Sequence, residues 1–146
     1  MSKTVITERM VEAAVWGGAT LGGGGGGAMK DGLETGLLAV RMGEVVLRDI
    51  DTMKPQDTLL TVSAVGAPAA KERYVRPADF VRAVTLFKER FGIAPAGIIT
   101  NECGGNATIN GWLQSATLGL PLIDAPCNGR AHPTGIMGSM GLTPSY

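Results

Sequence analysis

The segments TLLTVSAV (58–65), PADFVRAVTLFKERF (77–91), PAGIIT (95–100), NATINGWLQSATL (106–118) and LPLID (120–124) decide the fold. The first, third and fifth are short apolar runs bounded by glycine or proline, the mark of buried strands. The second carries apolar residues at helical spacing, with Phe80, Val81, Val84, Leu86, Phe87 and Phe91 as its expected buried face. Pro77 suits the first helical position and Gly92 ends the helix. The fourth opens after Gly104-Gly105 and is capped by Gly119. Strand, helix, strand, helix, strand makes two βαβ units, which require parallel neighbouring strands joined by right-handed crossovers.

Upstream, the spacing of Met10, Val11, Ala14 and Val15 predicts a helix over Thr7–Trp16, and a second helix is expected over Met29–Met42. Val45-Val46-Leu47 reads as a further strand. The predicted architecture is α/β: a mainly parallel sheet of about four to five strands flanked by helices, in a single domain spanning 1–146. Residues 125–146 read as an irregular glycine- and proline-rich tail.

Composition narrows the function. Hydrophobic residues make up 45% of the 146 and charged residues 18%, enough apolar material for a core and too little charge for a disordered chain. The 13 basic residues balance 13 acidic ones and form no stripe, so a nucleic-acid partner is not expected. No run has the length of a membrane span and the N-terminus lacks a leader's apolar core, so no membrane partner is expected and the cytoplasm is the default location. Cys103 and Cys127, the only cysteines, read as free thiols there.

In a parallel sheet, ligands bind beyond the carboxyl ends of strands. Three such ends carry turn and polar residues here: the one approaching Gly66, the one at Asn101-Glu102-Cys103-Gly104-Gly105-Asn106, and the one at Asp124 to Arg130. Glu102 could be a general base or a ligand to a divalent cation, or it could cap the following helix. Cys103 reads as a small buried residue more readily than as a nucleophile. Arg130 could clamp a carboxylate or ureido oxygen, or pair with Asp124. His132, the only histidine, is the remaining metal candidate. The run Gly22–Gly27 satisfies a dinucleotide fingerprint only trivially and follows a helix, not a strand. It reads either as a loop whose Gly24, Gly25, Gly26 and Gly27 amides face an anion or carbonyl oxygen, or as a hinge.

The glycine run, Val65-Gly66-Ala67-Pro68, Glu102-Cys103-Gly104-Gly105-Asn106, Leu118-Gly119-Leu120-Pro121-Leu122-Ile123-Asp124 and Gly129-Arg130-Ala131-His132-Pro133, in that order, resemble the N-terminal domain of the S-methyl-thiohydantoin desulfurase-like family. The resemblance runs from Thr20 to Pro133. It implies a relation to hydantoinase and oxoprolinase systems, and a C-terminal domain in longer members. Thr134 and His132 stand where members commonly carry an acidic and an aromatic residue.

The combined expectation is an enzyme or enzyme subunit that hydrolyses a small cyclic amide or ureido-type molecule. Glu102 and Asp124 would carry the chemistry. Asn101, Asn106, Arg130 and the Gly24–Gly27 amides would contact substrate. The alternatives are a non-catalytic subunit completing a partner's site and the small subunit of a two-subunit lyase or dehydratase. A homo-oligomer or a larger partner subunit is expected. No cofactor is assigned beyond the open question of a divalent metal.

Overall fold

A computed structural model of the chain describes residues 3–66 and 74–131. Five strands form one sheet: β1 (Lys3–Val5), β2 (Val46–Asp49), β3 (Leu59–Val62), β4 (Gly97–Thr100) and β5 (Leu122–Asp124). Four helices flank it: α1 (Glu8–Leu21), α2 (Met29–Met42), α3 (Pro77–Phe91) and α4 (Trp112–Leu118). The strand order is β1-β2-β5-β4-β3. β5, β4 and β3 run parallel, as the two βαβ units demand, and β2 pairs parallel to β5. β1, which the sequence reading did not anticipate, adds an antiparallel edge, with Lys3 opposite Arg48 and Val5 opposite Val46. Three residues are too few to show a periodicity, so only pairing reveals this strand.

The core is continuous from the helices to one face of the sheet. Val11 and Val15 of α1, Ala39 of α2, Ile98 of β4 and Val45 are completely buried, joined by Ile109, Leu113 and Leu122. Leu47, Ile98 and Leu122 line up across β2, β4 and β5, and so share that face. α2 meets its neighbours through small residues. Gly32, Gly36 and Ala39 are its buried positions, while Leu33, Leu37 and Val40 pack at the flanks. That stripe lets α2 lie against Val11, Ile109 and the backbone of Gly105.

Three sequence expectations need correction. The first helix does not stop at Trp16 but continues to Leu21. Gly17 and Gly18 stay helical, and Gly18 is the point where α1 meets the carbonyl of Gly104; a β-carbon there would overlap it. The segment 106–118 is not one helix. A 3-10 turn, Ala107–Ile109, precedes α4, and the break is at Gly111, whose φ of +91° no helix accommodates. The expected buried face of α3 is also narrower: Val84 is 1% exposed and Phe80 packs on the core, but Leu86 and Phe91 are 48% and 62% exposed. Phe80, Val84 and Phe87 make the stripe at helical spacing, and α3 docks against α4.

Among the described residues, no helix is long and apolar enough to cross a membrane.

The glycine tract joins the first helix pair to the turn after β4. Gly26 has φ of +76°, and a β-carbon on it would lie 2.5 Å from the Gly104 Cα. Replacing Gly26 with alanine is therefore expected to destabilise the chain by about 2 kcal/mol or more, through steric overlap and positive φ together. Gly17→Ala, helical and facing open space, is expected to stabilise it by about 0.5–1 kcal/mol. Urea unfolding of the two variants checks both signs.

Candidate functional site

The parallel strands bring the three polar strand ends to one edge. β3 pairs with β4 so that Val62 is opposite Thr100, and β4 pairs with β5 through Ile98 and Leu122. The loops leading to Gly66, Glu102 and the residues after Asp124 therefore leave the sheet in the same direction.

Hydrogen bonds stitch these loops together. Cys127 N–H donates to the Thr100 carbonyl at 3.1 Å, and Asn128 N–H to the Asn101 carbonyl at 2.8 Å. Cys103 N–H donates to the Gly129 carbonyl at 2.8 Å, and Ala131 N–H to the Cys103 carbonyl at 2.7 Å. Cys103 and Arg130 thus form a parallel bridge. The first residues of the expected irregular tail are in this way an added edge to the site; those from 132 on lie outside the described residues. The glycine tract closes the other side. The Gly26 carbonyl accepts from Asn106 N–H at 2.8 Å and Ala107 N–H at 2.7 Å.

Side chains fix the turn internally. The Thr100 hydroxyl lies 2.7 Å from the Ala107 carbonyl oxygen and 2.9 Å from that of Glu102. Thr108 Oγ1 donates to the Gly104 carbonyl at 2.7 Å and accepts from Gly104 N–H at 3.0 Å. Asn110 Nδ2 donates to Asn101 Oδ1 at 3.0 Å.

Between α1 and the carboxyl edge of β4 and β5 lies a cavity of about 320 Å³. Its apolar wall comes from Ile6, Met10, Ala14, Leu47, Ile98 and Trp112. Its polar groups are Thr100, Cys103, Thr108, Asn110 and Asp124. An apolar hollow with a few converging polar groups is the usual form of a small-molecule site.

The cavity gathers some of the residues expected from sequence and not others. Asp124 lines it directly. Glu102 is not on its wall, although its charge reaches Cys103. Asn101 is held by Asn110, and Asn106 faces a separate recess. Arg130 is exposed and its guanidinium donates to the Ala131 carbonyl at 2.9 Å; among the described residues it forms no ion pair with Asp124. Gly25, Gly26 and Gly27 lie against Ala131, Gly104 and Asn106, while a β-carbon on Gly24 would meet nothing within 4 Å. Thr100, Thr108 and Asn110 were not singled out from sequence. Their position in and just after a strand-end Gly-Gly turn is the signal that could have found them.

Cys103 is the one group here whose proton affinity departs clearly from its usual value. Burial pushes its thiol up. A hydrogen bond with Thr108 opposes that, and the carboxylates of Asp124 and Glu102 add to it. The thiol is therefore neutral at pH 7. Among the described residues no group of three or more His, Cys, Asp or Glu could hold a metal ion; His132 lies outside the described residues.

Comparison with known proteins fits this geometry to a family. The family model for the S-Me-THD-like N-terminal domain matches residues 9–144. The chain belongs to this family. The match includes the glycine tract, the turn after β4 and the loop after β5; the turn and the loop reach the cavity wall through Cys103 and Pro126, while the glycine tract packs behind the turn. This S-Me-THD-like domain is also similar to the X-ray crystal structure of a protein from Chromobacterium violaceum, with a TM-score of 0.74 and 26% identity over 90% of this chain. It spans 37% of that protein's length. No curated protein matches.

The raised proton affinity of Cys103 has a measurable consequence. The folded state holds the proton more tightly than the unfolded chain, so the associated stability is intact below the ordinary thiol value of 9.0 and is lost as pH climbs past it. In a Cys127→Ser variant, iodoacetamide is expected to alkylate Cys103 more slowly in the folded than in the urea-unfolded chain at pH 8. The folded rate should rise only above about pH 9.

Proposed function

We propose that this S-Me-THD-like domain forms part of the active site of an enzyme that hydrolyses small cyclic amide or ureido-type molecules related to thiohydantoins. The cavity beside Asp124 and Cys103 carries the reading. Its volume suits a five-membered ring, its apolar wall suits the ring's substituent, and its Asn110, Thr108 and Thr100 groups suit the ring's C=O and N–H positions. In the reaction, water adds to the ring carbonyl and the ring C–N bond breaks. A carboxylate removes the water's proton, which passes to the leaving nitrogen. In this reading Asp124 makes that transfer, supported by its position on the cavity wall, and Glu102 assists it as a second carboxylate or as a cation ligand. Asn101 acts indirectly by holding Asn110 at 3.0 Å, and the glycine tract by fixing the turn that carries Cys103.

A second polypeptide or domain belongs to this proposal. The domain spans little more than a third of its solved relative, and Trp16 and Leu21 on α1 are 60% and 71% exposed. That exposure also favours the rival reading, a non-catalytic subunit that completes a partner's site.

Ring opening of hydantoin and thiohydantoin, measured with and without the product of a neighbouring gene, is the test. Asp124→Asn and Glu102→Gln are expected to lower turnover by about 100-fold or more while leaving the melting temperature nearly unchanged. Full turnover by a complex carrying both substitutions would assign the chemistry to the partner and favour the non-catalytic reading.

A further inference from the structure

Asn110 lines the large cavity and also a second, smaller recess. The recess offers about 30 Å³ among Thr35 of α2, Phe80 of α3, and Asn106, Asn110 and Gln114. A single water needs roughly 10–15 Å³ by this measure, so the space fits the polar atoms of about one amide group.

Gln114 stands in the first turn of α4 and is 4% exposed. Among the described residues its carboxamide has no hydrogen-bond partner, although it brings two N–H donors and a carbonyl oxygen into the interior. Buried polar groups in folded proteins are ordinarily paired, and one that is not points to an absent partner. The Thr35 hydroxyl and the Asn106 carboxamide on the same wall also lack a side-chain partner among the described residues.

The wall selects its ligand by what it lacks. Among the described residues it holds two further carboxamides and a hydroxyl beside Gln114, and no carboxylate, ammonium, guanidinium or imidazole. An ion entering would lose its hydration with no opposite charge to meet it. A neutral amide offers an acceptor and donors side by side, the complement of a facing carboxamide.

We propose that this recess is a binding site for a neutral amide group, held by Gln114 with Asn106 and Thr35. It is a site separate from the larger cavity, and it does not depend on the hydrolytic reading of that cavity.

The test is an NMR titration of the ¹⁵N-labelled 146-residue chain, following the side-chain NH₂ signals of Gln114 and Asn106. Acetamide and N-methylacetamide are the probes, with acetate as the charged control. Saturable shifts are expected with the amides at concentrations on the order of tens of millimolar, and none with acetate. Gln114→Leu should weaken the response by about tenfold or more. Thr35→Val, at a half-buried position, is the gentler variant and should weaken it without unfolding the chain. Tighter binding of acetamide would mark a primary carboxamide as the ligand, and tighter binding of N-methylacetamide a peptide bond; either supports the proposal. Shifts that rise linearly without saturation, an equal response in both variants, or an equal response to acetate would overturn it. An ordered water that bridges Gln114 and Asn106 and is not displaced by acetamide would also overturn it.

Discussion

Everything at the functional edge depends on one backbone contact, the approach of the glycine tract to the turn after β4. The Gly26 carbonyl takes two N–H donors from Asn106 and Ala107. At that spacing neither Gly26 nor Gly104 has room for a β-carbon, since each would place one 2.5 Å from the other's Cα. The contact is backbone against backbone over several residues, with Gly18 of α1 and Gly32 of α2 meeting the same turn. A run of glycines is entropically costly to order. Here it permits the α1–α2 pair to sit directly on the loop that carries Glu102 and Cys103.

That placement creates the cavity. With the α1–α2 connection pinned at the turn, the N-terminal half of α1 spans the carboxyl edge of β4 and β5, and Met10, Ala13 and Ala14 become a wall. The tract's own groups are turned largely to the turn and to Ala131. Side chains thus supply the cavity's polarity, and they arrive already fixed. Asn110 is bonded to Asn101, and Thr108 to the Gly104 backbone. Preorganised polar groups beside an apolar surface favour orientation of a small ligand over mere capture. Burial first, and the neighbouring carboxylates of Asp124 and Glu102 in addition, keep the Cys103 thiol neutral.

The sheet was legible because its signals are redundant. Apolar runs at 58–65, 95–100 and 120–124 alternate with long helical patterns, and parallel pairing follows from that order alone. α2 and α3 have sharp ends because Gly43, Pro77 and Gly92 punctuate them. The extension of α1 through Gly17-Gly18 was not legible, because local propensity argues for a stop and only the contact with Gly104 shows why glycine is retained there. The site divides in the same way. Asp124 and Glu102 announce themselves as carboxylates at strand ends. Thr100, Thr108 and Asn110 are ordinary polar residues whose role depends on the turn folding back over β4, a tertiary fact with no sequence period. Gln114 is harder still, since a glutamine in a helical pattern reads as a solvent-facing residue until its burial is seen.

If the second polypeptide or domain proposed above is present, the exposed side of α1 is where it would meet this one. Ala13 lines the cavity and is exposed, so the cavity opens along the outer side of α1. Gly17 and Leu21 follow Ala13 at four-residue intervals on that side, with Trp16 beside them. The result is a strip that is small near its middle and apolar at its far end. A small middle allows another surface to approach closely, and exposed Trp16 and Leu21 gain by being covered. A second domain seated there would close the cavity mouth and exclude water from the carboxylate edge. It would also leave the backbone lock undisturbed, since the lock lies on the side of α1 that faces Gly104.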